Sequence, residues 1–160
     1  MKTEAQKEHR WLQRLVGNWI AEGDASMGPD QPVQKWEIPE RVSSVGDVWV
    51  QCVTQGDMPG CGPSTTGMTL GYDPARKHFV GTFIGSMMTH LWFYEGELDG
   101  GGQQLTLRAE GPDCSGNGRI AQYRDVITFT DDDHRTLTSY MLGENGEWAQ
   151  FMNASYRRQR

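Results

Sequence analysis

The sequence predicts an all-β protein: an antiparallel up-and-down β-barrel of about ten strands behind one short N-terminal helix. Three observations carry the prediction. After Gly17 the chain breaks into ten short extended segments. The links between them are rich in Gly, Pro, Asn and Asp, which supply positive φ or fixed proline geometry. No second stretch has helical periodicity, and ten strands joined by short links form a meander. An open sheet of that size would curl and expose two edges, whereas closure into a barrel removes them. A two-sheet sandwich is the alternative.

The helix is expected over 4–16. Thr3-Glu4-Ala5-Gln6 fits a capping box, with Thr3 at the N-cap and Gln6 reaching back. Ala5, His9, Leu12, Leu15 and Val16 recur at helical spacing and give one face to bury. Gly17 then ends the helix. Strands are expected over 18–27, 33–45, 47–56, 65–72, 78–85, 90–98, 104–110, 119–130, 135–142 and 147–157. The links include Gly28-Pro29-Asp30, Asp73-Pro74-Ala75-Arg76, Asp99-Gly100-Gly101-Gly102 and Asn145-Gly146, the last being the strongest hairpin signal. With no internal repeat or linker, residues 1–160 form a single domain.

Composition agrees with an ordered domain and removes several functions. Leu, Ile, Val and Phe make up less than a fifth of the 160 residues, but eight Met, six Trp and five Tyr supply apolar area instead. Fifteen Lys and Arg against 21 Asp and Glu give a net charge of −6. A general nucleic-acid binder needs basic surface to displace counterions, so no nucleic-acid partner is expected. No apolar run is long enough to span a membrane as a helix, and the charged start Met1–Glu8 is no signal peptide. Cys52, Cys61 and Cys114 are odd in number and widely spaced, which suits reduced thiols in the cytosol rather than a disulfide framework.

Leu15-Val16-Gly17-Asn18-Trp19, a helix running into Gly-x-Trp at the first strand, is similar to the opening of calycin-type barrels, the lipocalin and fatty-acid-binding group. Further along come Ala25-Ser26-Met27-Gly28-Pro29, Met68-Thr69-Leu70-Gly71-Tyr72-Asp73-Pro74 and Gly85-Ser86-Met87-Met88-Thr89-His90-Leu91-Trp92. Tyr123-Arg124-Asp125-Val126 and Phe151-Met152 to Tyr156-Arg157-Arg158 complete the series. In this order they resemble the bacterial family called domain of unknown function 1579, over almost the whole chain. The resemblance implies a small calycin-like barrel and no established activity. It also implies that Trp19 packs at the closed end of the barrel beneath Arg157 or Arg158. At Met58-Pro59-Gly60-Cys61 the chain departs from the more glycine-rich run expected of that family, so no family-wide role falls to Cys61.

Candidate chemistry centres on the barrel interior. On strand alternation His90, Trp92, Tyr94 and Gly96 share one face, and Leu91, Phe93, Glu95 and Glu97 the other. A ten-stranded barrel is wider than an eight-stranded one, whose side chains nearly fill it. The expected cavity lining is Met68, Met87, Met88, His90, Trp92, Tyr94, Tyr123, Arg124, Met141 and Met152. Tyr123 and Arg124 alternate, so at most one of them points fully inward. Arg124 could hold a ligand carboxylate, or it could pair on the outer face.

Other constellations carry less. The histidines lack zinc spacing and there is no Cys-x-x-Cys, so no metal is expected. The loop from Gly56 to Thr66 lacks the Gly-Lys-Ser/Thr core of a phosphate cradle and leads into a strand. Asp131-Asp132-Asp133 reads as a solvated turn. The leading expectation is therefore a non-catalytic, cytoplasmic binding module for a small hydrophobic or amphipathic ligand, without a cofactor and with a homodimer left open. The alternatives are a small barrel enzyme using His90 with Tyr94 or Arg124, a haem-binding barrel with His90 as axial ligand, and a filled-core interaction protein.

Overall fold

The computed structural model describes residues 3–25, 30, 32–113 and 115–160, with the side chain of Ala25 excepted. The end of the first strand at Met27, the turn at Gly28-Pro29 and the thiol of Cys114 lie outside the described residues. One helix, α1 (Lys7–Gln13), precedes ten strands: β1 (Gly17–Ala25), β2 (Gln34–Val45), β3 (Trp49–Met58), β4 (Gly62–Asp73) and β5 (His78–Gly85). The rest are β6 (Trp92–Leu98), β7 (Gln104–Pro112), β8 (Ile120–Asp131), β9 (His134–Leu142) and β10 (Trp148–Gln159). Each strand pairs antiparallel with its chain neighbours, and β1 pairs with β10, so the ring is closed. The barrel, rather than the sandwich, is the architecture.

The helix is shorter than expected and starts later. Its N-cap is Gln6, not Thr3, and the reciprocal partner is His9, whose Nδ1 accepts the Gln6 N–H at 2.9 Å. A tertiary contact sets this start. The buried His9 ring stands edge-on to Tyr72, and its Nε2 lies 3.1 Å from the Tyr72 carbonyl oxygen on β4.

The helix plugs one end of the barrel. Leu12 and Leu15 are buried outright, and Trp11 packs edge-on against Phe79 and Phe129 while its indole N–H donates to the Gly102 carbonyl at 2.7 Å. Each such side chain contributes roughly 1.5–3 kcal/mol through burial.

Gly17 then turns the chain into β1 with φ of +138°, a conformation that disfavours any side chain. Two residues on, Trp19 is fully buried and its indole N–H donates to the Leu15 carbonyl at 2.8 Å. Arg158 covers it, with Cζ 4.3 Å from the ring centroid. The same guanidinium donates to the carbonyls of Val16 and Arg14, both at 2.8 Å, and to that of Asp132. Arg157, one residue earlier, points the other way and pairs with exposed Glu37 at 3.2 Å. Strand alternation makes this choice.

Above Trp19 the lumen is crossed by a buried ion pair, Arg135 on β9 with Glu40 on β2. The Arg135 Nε has no hydrogen-bond partner among the described residues, and the guanidinium lies against the faces of Trp19 and Tyr156 instead. Cys52 faces the same layer; burial pushes its thiol well above the ordinary range, with the Glu40 charge adding to the effect. Trp11, Leu12, Leu15, Trp19 and Tyr156 are buried around this pair at the plugged end.

Candidate functional site

The other end of the barrel is not filled. A cavity of about 360 Å³ opens there, lined by Met68, Phe83, Met88, His90, Trp92, Tyr94, Ala109, Pro112, Tyr123, Asp125, Leu137, Ser139, Phe151 and Met152. Register explains how residues so far apart in sequence meet. Met68 pairs with Phe83, and Phe83 with Trp92, so three inward side chains form one cross-strand row over β4, β5 and β6. A second row runs Leu107, Asp125, Ser139 and Met152 over β7 to β10. The β10 strand carries an irregularity between Gln150 and Met152, and such a bulge re-aims a side chain. Phe151 thereby reaches the mouth although it is 55% exposed.

Aromatic rings meet edge to face around the mouth. His90 meets Trp92 with centroids 4.7 Å apart, Trp92 meets Tyr123 at 4.8 Å, and Tyr123 meets Phe151 at 5.9 Å. Gly111 on β7 makes room for the Trp92 ring, because a Cβ there would overlap the indole. The Trp92 N–H donates to the Met88 sulfur at 3.0 Å. His90 lies in the link just ahead of β6, with Nε2 3.1 Å from the Glu110 carbonyl oxygen.

The polar centre of the cavity is Asp125. Its Oδ1 accepts from the Ser139 hydroxyl at 2.6 Å, and its Oδ2 accepts from the Tyr94 hydroxyl. Burial pushes the Asp125 carboxyl above the ordinary carboxylate range, against those two hydroxyls, which pull it down. Tyr94 is buried, and burial together with the neighbouring carboxylate holds its phenol well above its usual value, so it stays a donor.

Seven of the expected lining residues gather here: Met68, Met88, His90, Trp92, Tyr94, Tyr123 and Met152. Three do not. Arg124 is on the outer face, since Tyr123 takes the inward position of that alternation, and its guanidinium stacks on Trp148 at 4.0 Å. Met87 stays at the exposed β5–β6 turn, closed by the Met88 N–H donating to the Gly85 carbonyl at 3.1 Å, with its sulfur against Gly85. Met141 sits opposite Tyr123 across β8 and β9 but outside the lining.

The sequence reading missed Phe83, Ala109, Pro112, Asp125, Leu137, Ser139 and Phe151. The signal was present in strand parity: with Tyr123 inward, Asp125 must also face inward.

His90 has its Nε2 at the Glu110 carbonyl oxygen, so Nδ1 is the ring nitrogen left for an axial haem bond. Among the described residues no cluster of His, Cys, Asp and Glu could hold a metal ion, and no helix is long and apolar enough to cross a membrane. A wider groove of about 560 Å³ beside β1, β2 and β10 is lined mainly by exposed Glu22, Asp24, Lys35, Glu37, Asn153 and Ser155, and among the described residues no buried polar group converges on it.

No curated protein matches the chain. Residues 4–158 match the family described as protein of unknown function DUF1579, and the chain belongs to that family.

Proposed function

We propose that the protein is a non-catalytic binding module that holds a small, largely apolar ligand in the open end of its barrel. The observation that carries this reading is the cavity itself. Met, Phe, Leu and aromatic side chains from β4 to β10 surround about 360 Å³ and converge on one hydrogen-bonded carboxyl. Binding sites for small molecules have this composition, an apolar lining with a few polar groups that fix orientation. Met68, Met88 and Met152 adapt to varied ligand shapes.

The polar groups suit holding rather than chemistry. Ser139 gives its proton to Asp125 directly, with no imidazole between them to activate the hydroxyl. The thiols of Cys52 and Cys61 are free, which fits a reducing cytoplasmic setting.

The test is a titration with N-phenyl-naphthylamine, a neutral apolar dye whose emission rises in apolar surroundings. Saturable binding at one site per barrel is expected, weakened in Trp92→Phe and His90→Ala. Absence of saturable binding to the wild-type protein would overturn the reading.

A further inference from the structure

Asp125 lacks a counter-charge. Its two oxygens each accept a hydroxyl proton, from Ser139 and from Tyr94, which is the bonding pattern of an ionised carboxylate. No Lys or Arg lines the cavity among the described residues. The nearest candidate by sequence, Arg124, stacks on Trp148 outside the barrel, and the lumen cation Arg135 is committed to Glu40. A carboxylate in an apolar cavity without a cation is costly. Two hydroxyl donors leave further lone pairs of the carboxylate for another donor. The walls above it are rings, Trp92, Tyr123, Phe151 and Phe83, and aromatic faces attract cations within about 6 Å of the centroid. The chain's net charge of −6 draws cations towards the protein as a whole.

We propose that the cavity is selective for ligands carrying one protonated amine on an apolar body, with the ammonium on Asp125 and the body among the rings and methionines. The proposal rests on the binding-module reading and adds the ligand's chemical class. The ammonium supplies the charge that the site lacks and donates to the carboxylate edges that Ser139 and Tyr94 leave open. An anionic ligand of the same shape meets like charge at the same place.

The experiment compares phenylbutylamine, phenylbutanol and phenylbutyrate, one body with a cationic, a neutral and an anionic head. Each competes with N-phenyl-naphthylamine on the wild-type protein and on Asp125→Asn. The amine is expected to bind at least about tenfold tighter than the alcohol, the strength of a charge-assisted hydrogen bond, and the acid weakest. In Asp125→Asn the amine should fall to within about twofold of the alcohol. An alcohol or acid that equals the amine on the wild type overturns the proposal, and so does an amine preference that survives Asp125→Asn. If that variant fails to fold, the wild-type ordering of the three heads decides alone. Dye binding without amine preference sinks this proposal only; failure of the dye and all three heads sinks the binding module with it.

Discussion

Tyr94 on β6 donates its hydroxyl proton to Asp125 on β8, joining two strands that are not neighbours in the ring. The bond spans the inside of the barrel and holds the carboxyl between β6 and β9, where Ser139 grips its other oxygen. Tyr94→Phe keeps the ring and removes this donor. The carboxyl then has one hydroxyl partner instead of two, and burial is opposed less. A loss of about 1–3 kcal/mol in urea unfolding is expected. Combining Tyr94→Phe with Asp125→Asn should cost less than the sum of the single changes, because the two groups share one interaction. Additive losses would show that the bond carries no stability.

A second expectation concerns pH. The folded carboxyl of Asp125 lies above the ordinary range, chiefly through burial. The folded state therefore holds that proton more tightly than the unfolded chain. The stability linked to Asp125 is full below the unfolded carboxyl value, about 3.9, and is lost as pH rises through the folded value. The groups facing it are the Tyr94 phenol from β6, the Ser139 hydroxyl from β9 and the Tyr156 phenol from β10. Both phenols are pushed upward and stay neutral over this range. Asp125→Asn removes the titration. Its melting temperature relative to wild type should climb as pH rises from about 4 and level off above the folded carboxyl value. A flat or falling difference would show that the carboxyl is not raised.

The strands were legible because turn chemistry is local. Asn145-Gly146 needs only its own backbone to turn, and Gly146 has φ of +79°. His78–Gly85 begins and ends where its flanking turns say it should. The helix start was not legible, because His9 is fixed by Tyr72, a contact 63 residues away. The interior split the same way. Parity along one strand placed Trp92 and Tyr94 together correctly. Parity alone could not say which of Tyr123 and Arg124 faces in, because that depends on β7 and β9 on either side. The Arg135–Glu40 pair, 95 residues apart, leaves no local mark on either segment.

The plugged end separates two neighbouring arginines. Arg158 satisfies three carbonyls and covers Trp19, whereas Arg157 makes an exposed ion pair with Glu37. Arg158→Ala leaves the C-terminal end of α1 and the Asp132 turn without this donor and uncovers the indole. It should cost about 2–4 kcal/mol, since two half-buried carbonyls lose a charged partner and the indole loses its cover together. Arg157→Ala should stay within about 0.5 kcal/mol of wild type. Trp19→Ala, which empties the space beneath Arg158, should cost about 3–5 kcal/mol. Equal effects of the two arginine changes in chemical unfolding would contradict the cap.

Gly111 offers a way to perturb the cavity while leaving the plugged end alone. The Trp92 indole lies flush on the Gly111 backbone, where any Cβ would overlap it. Gly111 does not sit at positive φ, so alanine there is acceptable to the backbone and the clash falls on the ring alone. Gly111→Ala must push Trp92 off β7, and β7 itself closes the retreat outward. The ring can move only towards the cavity, into the space between His90, Met88 and Tyr123. Overpacking of this kind costs about 1–3 kcal/mol. Its larger effect should be on binding, because an indole displaced into about 360 Å³ occupies a substantial part of it. The expected result is at least about a tenfold weaker affinity for N-phenyl-naphthylamine, with the protein still folded and Trp19 still buried. Trp92→Phe, which shrinks the ring, should restore part of that affinity when combined with Gly111→Ala. A double variant no better than Gly111→Ala alone would mean that the glycine acts through the β7 backbone rather than through the indole.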